Sequence, residues 1–192
     1  MASTYLLSDE SKHYLCCYYQ ILDEMIQGIT TAKLTQSISH NFIVQMIPQH
    51  QAAIRMSRNI LESSDSTAVR RLAQRVIEQQ AQVIGQLEGE LPAAGELASP
   101  RADLRLYHRR MDLICREMFT RMGAAPEGNR LDAIYLQQLI PHRQGAVRMA
   151  RHALRYDLTT GLPPIMRAAV DAQLRETGQI RALLRRMGCQ GT

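Results

Sequence analysis

Tryptophan is absent from this 192-residue chain, and phenylalanine occurs only at Phe42 and Phe119. The apolar-periodic segments are built instead from Leu, Ala and ten methionines, interleaved with Gln and Arg, a composition that favours an all-helical fold. Cysteine is scarce as well. Cys16, Cys17, Cys115 and Cys189 lack metal-ribbon spacing, and two of them are direct neighbours, which suits a disulfide framework poorly. They read as reduced thiols. No apolar stretch approaches the roughly 20 residues of a membrane span. The opening MASTYLLSDESKHYLCCYYQ has no basic start followed by an apolar run of signal-peptide length. The expectation is a soluble, cytoplasmic chain with no membrane role.

Catalytic signatures are missing too. No phosphate loop, nucleophile elbow or Cys-x-x-Cys occurs. A carboxylate di-iron centre needs a Glu-x-x-His on each of two helices, and the chain has that spacing once, from Glu10 to His13. His40, His108 and His152 stand without a spaced carboxylate partner. No enzyme activity is expected.

What is present is a repeat. Residues 46 to 56 read MIPQHQAAIRM and residues 139 to 149 read LIPHRQGAVRM. An offset of 93 aligns Pro48 with Pro141, and with it Tyr14 with Tyr107, Met25 with Met118, Phe42 with Tyr135, Arg55 with Arg148 and Met56 with Met149. Three extra residues in the later loop YDLTTGLPP then align Ile84 with Ile180 and Leu87 with Leu183. The chain divides into a first copy at 1–91, a linker at 92–100 and a second copy at 101–192. Each copy reads as three helices. They are expected at 9–30 behind Ser8, 36–62, and 66–91 ended by Pro92, then 101–122 with Ser99 as cap, 130–156 after Asn129, and 164–187 after the double proline. A proline inside a helix costs about 3 kcal/mol, so Pro48 and Pro141 should kink their helices and aim the residues that follow.

Charge divides unevenly. Residues 1–96 hold 7 Lys or Arg against 10 Asp or Glu, whereas residues 97–192 hold 16 against 8. This reads as two solvated surfaces of differing sign that help the halves dock. A nucleic-acid role is not expected, because interleaved aromatics, a recognition helix and a basic tail are all missing.

The doubled segment resembles the domain of unknown function 305 family, whose members show M-I-P-H-H-Q-x-A-I-x-M-A after a helix with spaced Met and His. The resemblance covers nearly the whole chain as two copies. It implies an all-α, ferritin-like helical bundle of two packed three-helix copies. It also implies metal handling, since some relatives bind copper through Met and His side chains. Each copy here keeps one histidine of the motif pair, as Gln49-His50 and His142-Arg143. On a regular helix, His142 and Met149 fall within about 20° of each other, whereas His50 and Met56 fall about 120° apart. Met111, Cys115, Met118 and Met122 form one helical stripe, and thioether, thiol and imidazole together suit Cu(I). The candidate ligands are therefore His142, Met149, Met118, Met122 and Cys115, with His50 and Met56 as a weaker first-copy set. The same stripe at helix period is also what a core face looks like. The rival expectation is a structural or protein-interaction module, binding a partner or a second copy of itself, whose ancestral ligands are lost.

Overall fold

The computed structural model describes residues 6–189. Residues 1–5 and 190–192, the outer ends of the two expected copies, lie outside the described residues. Six helices follow in order: α1 Asp9–Thr30, α2 Ile38–Ser63, α3 Thr67–Glu96, α4 Arg101–Gly123, α5 Leu131–Ala153 and α6 Leu162–Arg186. No strand occurs among the described residues, and the all-α expectation holds.

Local chemistry starts the first three helices. Ser8, Ser37 and Ser66 each accept a hydrogen bond from a backbone N–H of the first turn, of Ser11, His40 and Val69 respectively. Asp9 and Glu10 add negative charge at the start of α1, where the helix dipole favours it.

Several expected boundaries move. Pro92 does not end α3, which runs on to Glu96. The segment is anchored because Ala94 is buried and its carbonyl accepts a 2.6 Å bond from Ser37 Oγ. Ser99 does not cap α4. Its hydroxyl accepts from Ile38 N at 3.0 Å and so serves the start of α2, while Pro100 stands at the α4 cap position. Helix α5 stops at Ala153, with Arg155 and Tyr156 held in turns by the carbonyls of His152 and Ala153. Helix α6 begins at Leu162, so Pro163 and Pro164 fall in its first turn, where no N–H is needed.

Both proline segments stay inside continuous helices, α2 and α5. Room for the Pro48 ring comes from α1, because a Cβ built on Gly28 would lie 2.7 Å from Pro48 Cβ. At the equivalent place in the second half stands Arg121, and an open groove of about 210 Å³ runs there beside Pro141.

Helix α2 packs on α1 and α3, and α5 on α4 and α6. Between the halves α2 meets α5, α3 meets α6, and α1 meets α4. Each helix thus touches its own equivalent, the pattern of a two-fold, self-complementary contact. The core runs unbroken through that seam, with Ile43, Met56, Ile60, Leu72, Tyr135, Leu136 and Met149 all buried.

Candidate functional site at the helix seam

The residues after each proline meet across the seam. Gln49 Nε2 donates to the His142 carbonyl at 3.1 Å and stands 3.3 Å from His142 Nδ1. His142 Nε2 in turn lies 2.9 Å from the Gln49 carbonyl. One tautomer satisfies all three contacts: Nε2 carries the proton and donates, and Nδ1 accepts. Gln49 and His142 occupy equivalent positions 93 residues apart, so the clasp joins the same site of both halves. Burial lowers the His142 pKa to about 4, which keeps the ring neutral as the clasp requires.

Polar bonds flank this clasp in matched pairs. Tyr14 Oη donates to Gln138 Oε1 at 2.7 Å, and Tyr107 Oη reaches Gln45 Oε1 at 3.5 Å. Asn59 Nδ2 donates to the Tyr14 carbonyl at 3.0 Å, while His152 Nε2 stands 3.1 Å from that of Tyr107. Nearer the surface, Arg55 pairs with Glu24 and Arg148 with Glu117. Every member of these pairs has its counterpart at the offset of 93.

The next position breaks the symmetry. In the second half Arg143, 2% exposed, forms a buried ion pair with Glu176 on α6. Burial lowers the guanidinium pKa, and Glu176 and Tyr135 oppose that shift. Among the described residues Arg143 Nε and Nη2 find no hydrogen-bond partner. Tyr135, whose phenol burial pushes up to about 12, shares a 2.7 Å hydrogen bond with Ser57. The equivalents of Arg143 and Glu176 in the first half are His50 and Gln80, both buried and neutral. Burial together with the nearby His142 and Arg143 lowers His50 to about 3. Its Nδ1 has no partner among the described residues. His50 lines a small cavity of about 10 Å³ with Met46, Met166 and Gln173, room for about one water.

All seven residues expected to bind copper are buried. Cys115, Met118 and Met122 lie on the buried face of α4, and Met118 reaches α5 at Gly145, one turn from His142. A free imidazole nitrogen is not brought to them, because both nitrogens of His142 face Gln49. Burial also pushes the Cys115 thiol up to about 12, away from the thiolate that binds metals. Among the described residues no three His, Cys, Asp or Glu side chains cluster so as to hold a metal ion. Sequence reasoning missed Gln45, Gln138, Met46, Met166 and the pairing of Arg143 with Glu176. The glutamines carried a signal, being one polar residue repeated at offset 93 on the apolar face of both motif helices.

No described helix is long and apolar enough to cross a membrane. No curated protein matches the chain. A solved DUF305 protein from Streptomyces coelicolor, whose name includes the word secreted, superposes with a TM-score of 0.63 at 24% identity, over 83% of this chain and 99% of that one. A DUF305 fragment from Deinococcus radiodurans superposes with a TM-score of 0.56, also at 24% identity, over 81% and 98%. These likenesses show the fold. A family model described as a domain of unknown function matches residues 39–184, a span that includes both proline segments, and the chain belongs to this DUF305 family.

Proposed function

We propose that this chain is a non-enzymatic helical scaffold of ferritin-like type, in which the doubled motif holds two helical repeats together and activity resides in surface interactions. The reciprocal Gln49–His142 clasp carries this reading. It uses both nitrogens of the second-half motif histidine for packing, in the place where a ligand would need a lone pair. The buried Arg143–Glu176 pair supports it further, since Arg143 takes the place of the second motif histidine and a guanidinium offers no lone pair to a metal. The free cysteines suit a reducing compartment, and we assign the chain to the cytoplasm on that ground.

A second reading has one observation in its favour. His50 Nδ1 is unpartnered among the described residues and shares a cavity wall with two thioethers, Met46 and Met166, a donor set suited to Cu(I). One titration separates the two. In a variant with all four cysteines changed to Ser, Cu(I) is offered in competition with a chromogenic chelator. The scaffold reading expects no copper taken from the chelator. One equivalent bound, and lost in His50→Ala but retained in His142→Ala, establishes the second reading instead.

A further inference from the structure

Of the four cysteines only Cys115 is buried, although cysteine is among the most buried residue types. Cys16 is exposed and Cys17 half-buried on α1, whose buried face is carried by Tyr14, Leu15, Tyr18, Ile21, Leu22, Met25 and Ile29. One turn before Cys17 stands the exposed His13, and its Nε2 lies 3.8 Å from Cys17 Sγ. Nothing in the repeat explains the pair. The equivalent second-half positions are Leu106 and Arg110, so the symmetric packing does not require either residue.

The separation is informative. A zinc-class ion binds imidazole nitrogen at about 2.0–2.1 Å and thiolate sulfur at about 2.3 Å. With N and S 3.8 Å apart, those bonds subtend roughly 120° at the ion, close to the tetrahedral angle such ions take. Residues at i and i+4 share one helix face, so both side chains reach one point above it, where thiol and imidazole now share a weak hydrogen bond. From this geometry we infer that His13 and Cys17 form a surface chelate for a thiophilic divalent cation of the zinc class, with water filling the remaining positions. Binding converts the Cys17 thiol to a metal thiolate and releases its proton to solvent, and the ion's charge is otherwise unchanged. Affinity therefore rises with pH. Cys16 lies about 100° around the helix from Cys17 and is not a ligand. A Cys–His nucleophilic dyad is the competing use of such a pair, but neither residue lines the cavity or the groove described above.

The test uses the full chain, reduced and oxygen-free, titrated with Co²⁺. A thiolate-to-cobalt charge-transfer band should grow to one equivalent per chain and disappear when Zn²⁺ is added. Cys17→Ser should abolish the band, His13→Ala should weaken binding by about tenfold or more, and Cys16→Ser should leave it unchanged. These side chains lie outside the core, and far-UV circular dichroism of each variant serves as the check on folding. Absence of the band in the unmodified chain, its survival in Cys17→Ser, or its loss in Cys16→Ser overturns the inference. Thioethers give no such band, so the outcome is independent of the Cu(I) titration, which is run without cysteines.

Discussion

Replacing Glu176 by Gln leaves the Arg143 guanidinium buried without its counter-charge, and breaking a buried ion pair in this way costs about 3–5 kcal/mol. Arg143→His strands the Glu176 carboxylate and should cost a similar amount. The first half of the molecule supplies the rescue, because its equivalent residues are His50 and Gln80. The double variant Arg143→His with Glu176→Gln therefore installs a neutral pair that the same fold already accommodates. Its remaining cost is the volume lost from Arg to His, about 1–2 kcal/mol. The coupling between the two sites is then about 3 kcal/mol or more. Against a typical total stability of about 5–15 kcal/mol, each single variant remains measurable. Urea unfolding followed at the helix band of the circular dichroism spectrum gives the four free energies by linear extrapolation. Additive effects, within about 0.5 kcal/mol, would show that the charges do not meet and refute the reasoning.

Acid should destabilise the fold early. His50 and His142 titrate near 3 and 4 when folded and near 6.5 when unfolded, so the unfolded chain binds more protons across that window and stability rises with pH through it. The two rings together should cost about 2 kcal/mol between pH 6.5 and 5.5, of which His142→Gln removes about 1, read from urea midpoints over a pH series. Gly145→Ala should destabilise by about 1–3 kcal/mol, because a Cβ there meets the Met118 side chain as far back as its Cβ, at 2.9 Å. Gly85→Ala on α3 meets nothing within 4 Å and should stabilise by up to about 1 kcal/mol, and thermal melts of both variants check the contrast. Tyr14→Phe should cost about 1–3 kcal/mol by stranding buried Gln138, and Tyr107→Phe less, because its bond to Gln45 is 3.5 Å against 2.7 Å. Urea unfolding of the two variants side by side decides this.

The helices were legible because their signals are local. Apolar periodicity and the repeat, with the Ser8 cap at the start of α1, located the six described helices and placed both prolines within them. The boundaries that moved depend on distant partners. Ser99 looked like a cap for the helix after it, yet its hydroxyl serves α2, more than sixty residues earlier in the chain. Pro92 looked like a stop, and Ser37 holds the turn beyond it in place. At the candidate site, helix-wheel angles correctly put Met118, Met122 and Cys115 on one face, but a face does not reveal what a ring nitrogen touches. The partner of His142 is Gln49, 93 residues away, and the partner of Arg143 lies on α6. Reading both copies against each other would have come nearer, since the clasp, the tyrosine–glutamine bonds and the surface ion pairs all recur at one offset.

The tautomer and charge of His142 test the central claim most directly, and nitrogen NMR of the ¹⁵N-labelled imidazoles reads both. The clasp requires a neutral ring at pH 7 with the proton on Nε2 and with Nδ1 accepting from Gln49. That signal should persist to pH 5, above the lowered pKa of about 4, and should not move when Cu(I) is added. A proton on Nδ1, a charged ring at pH 6, or a Cu(I)-induced shift at His142 would contradict the assignment of the motif to the seam.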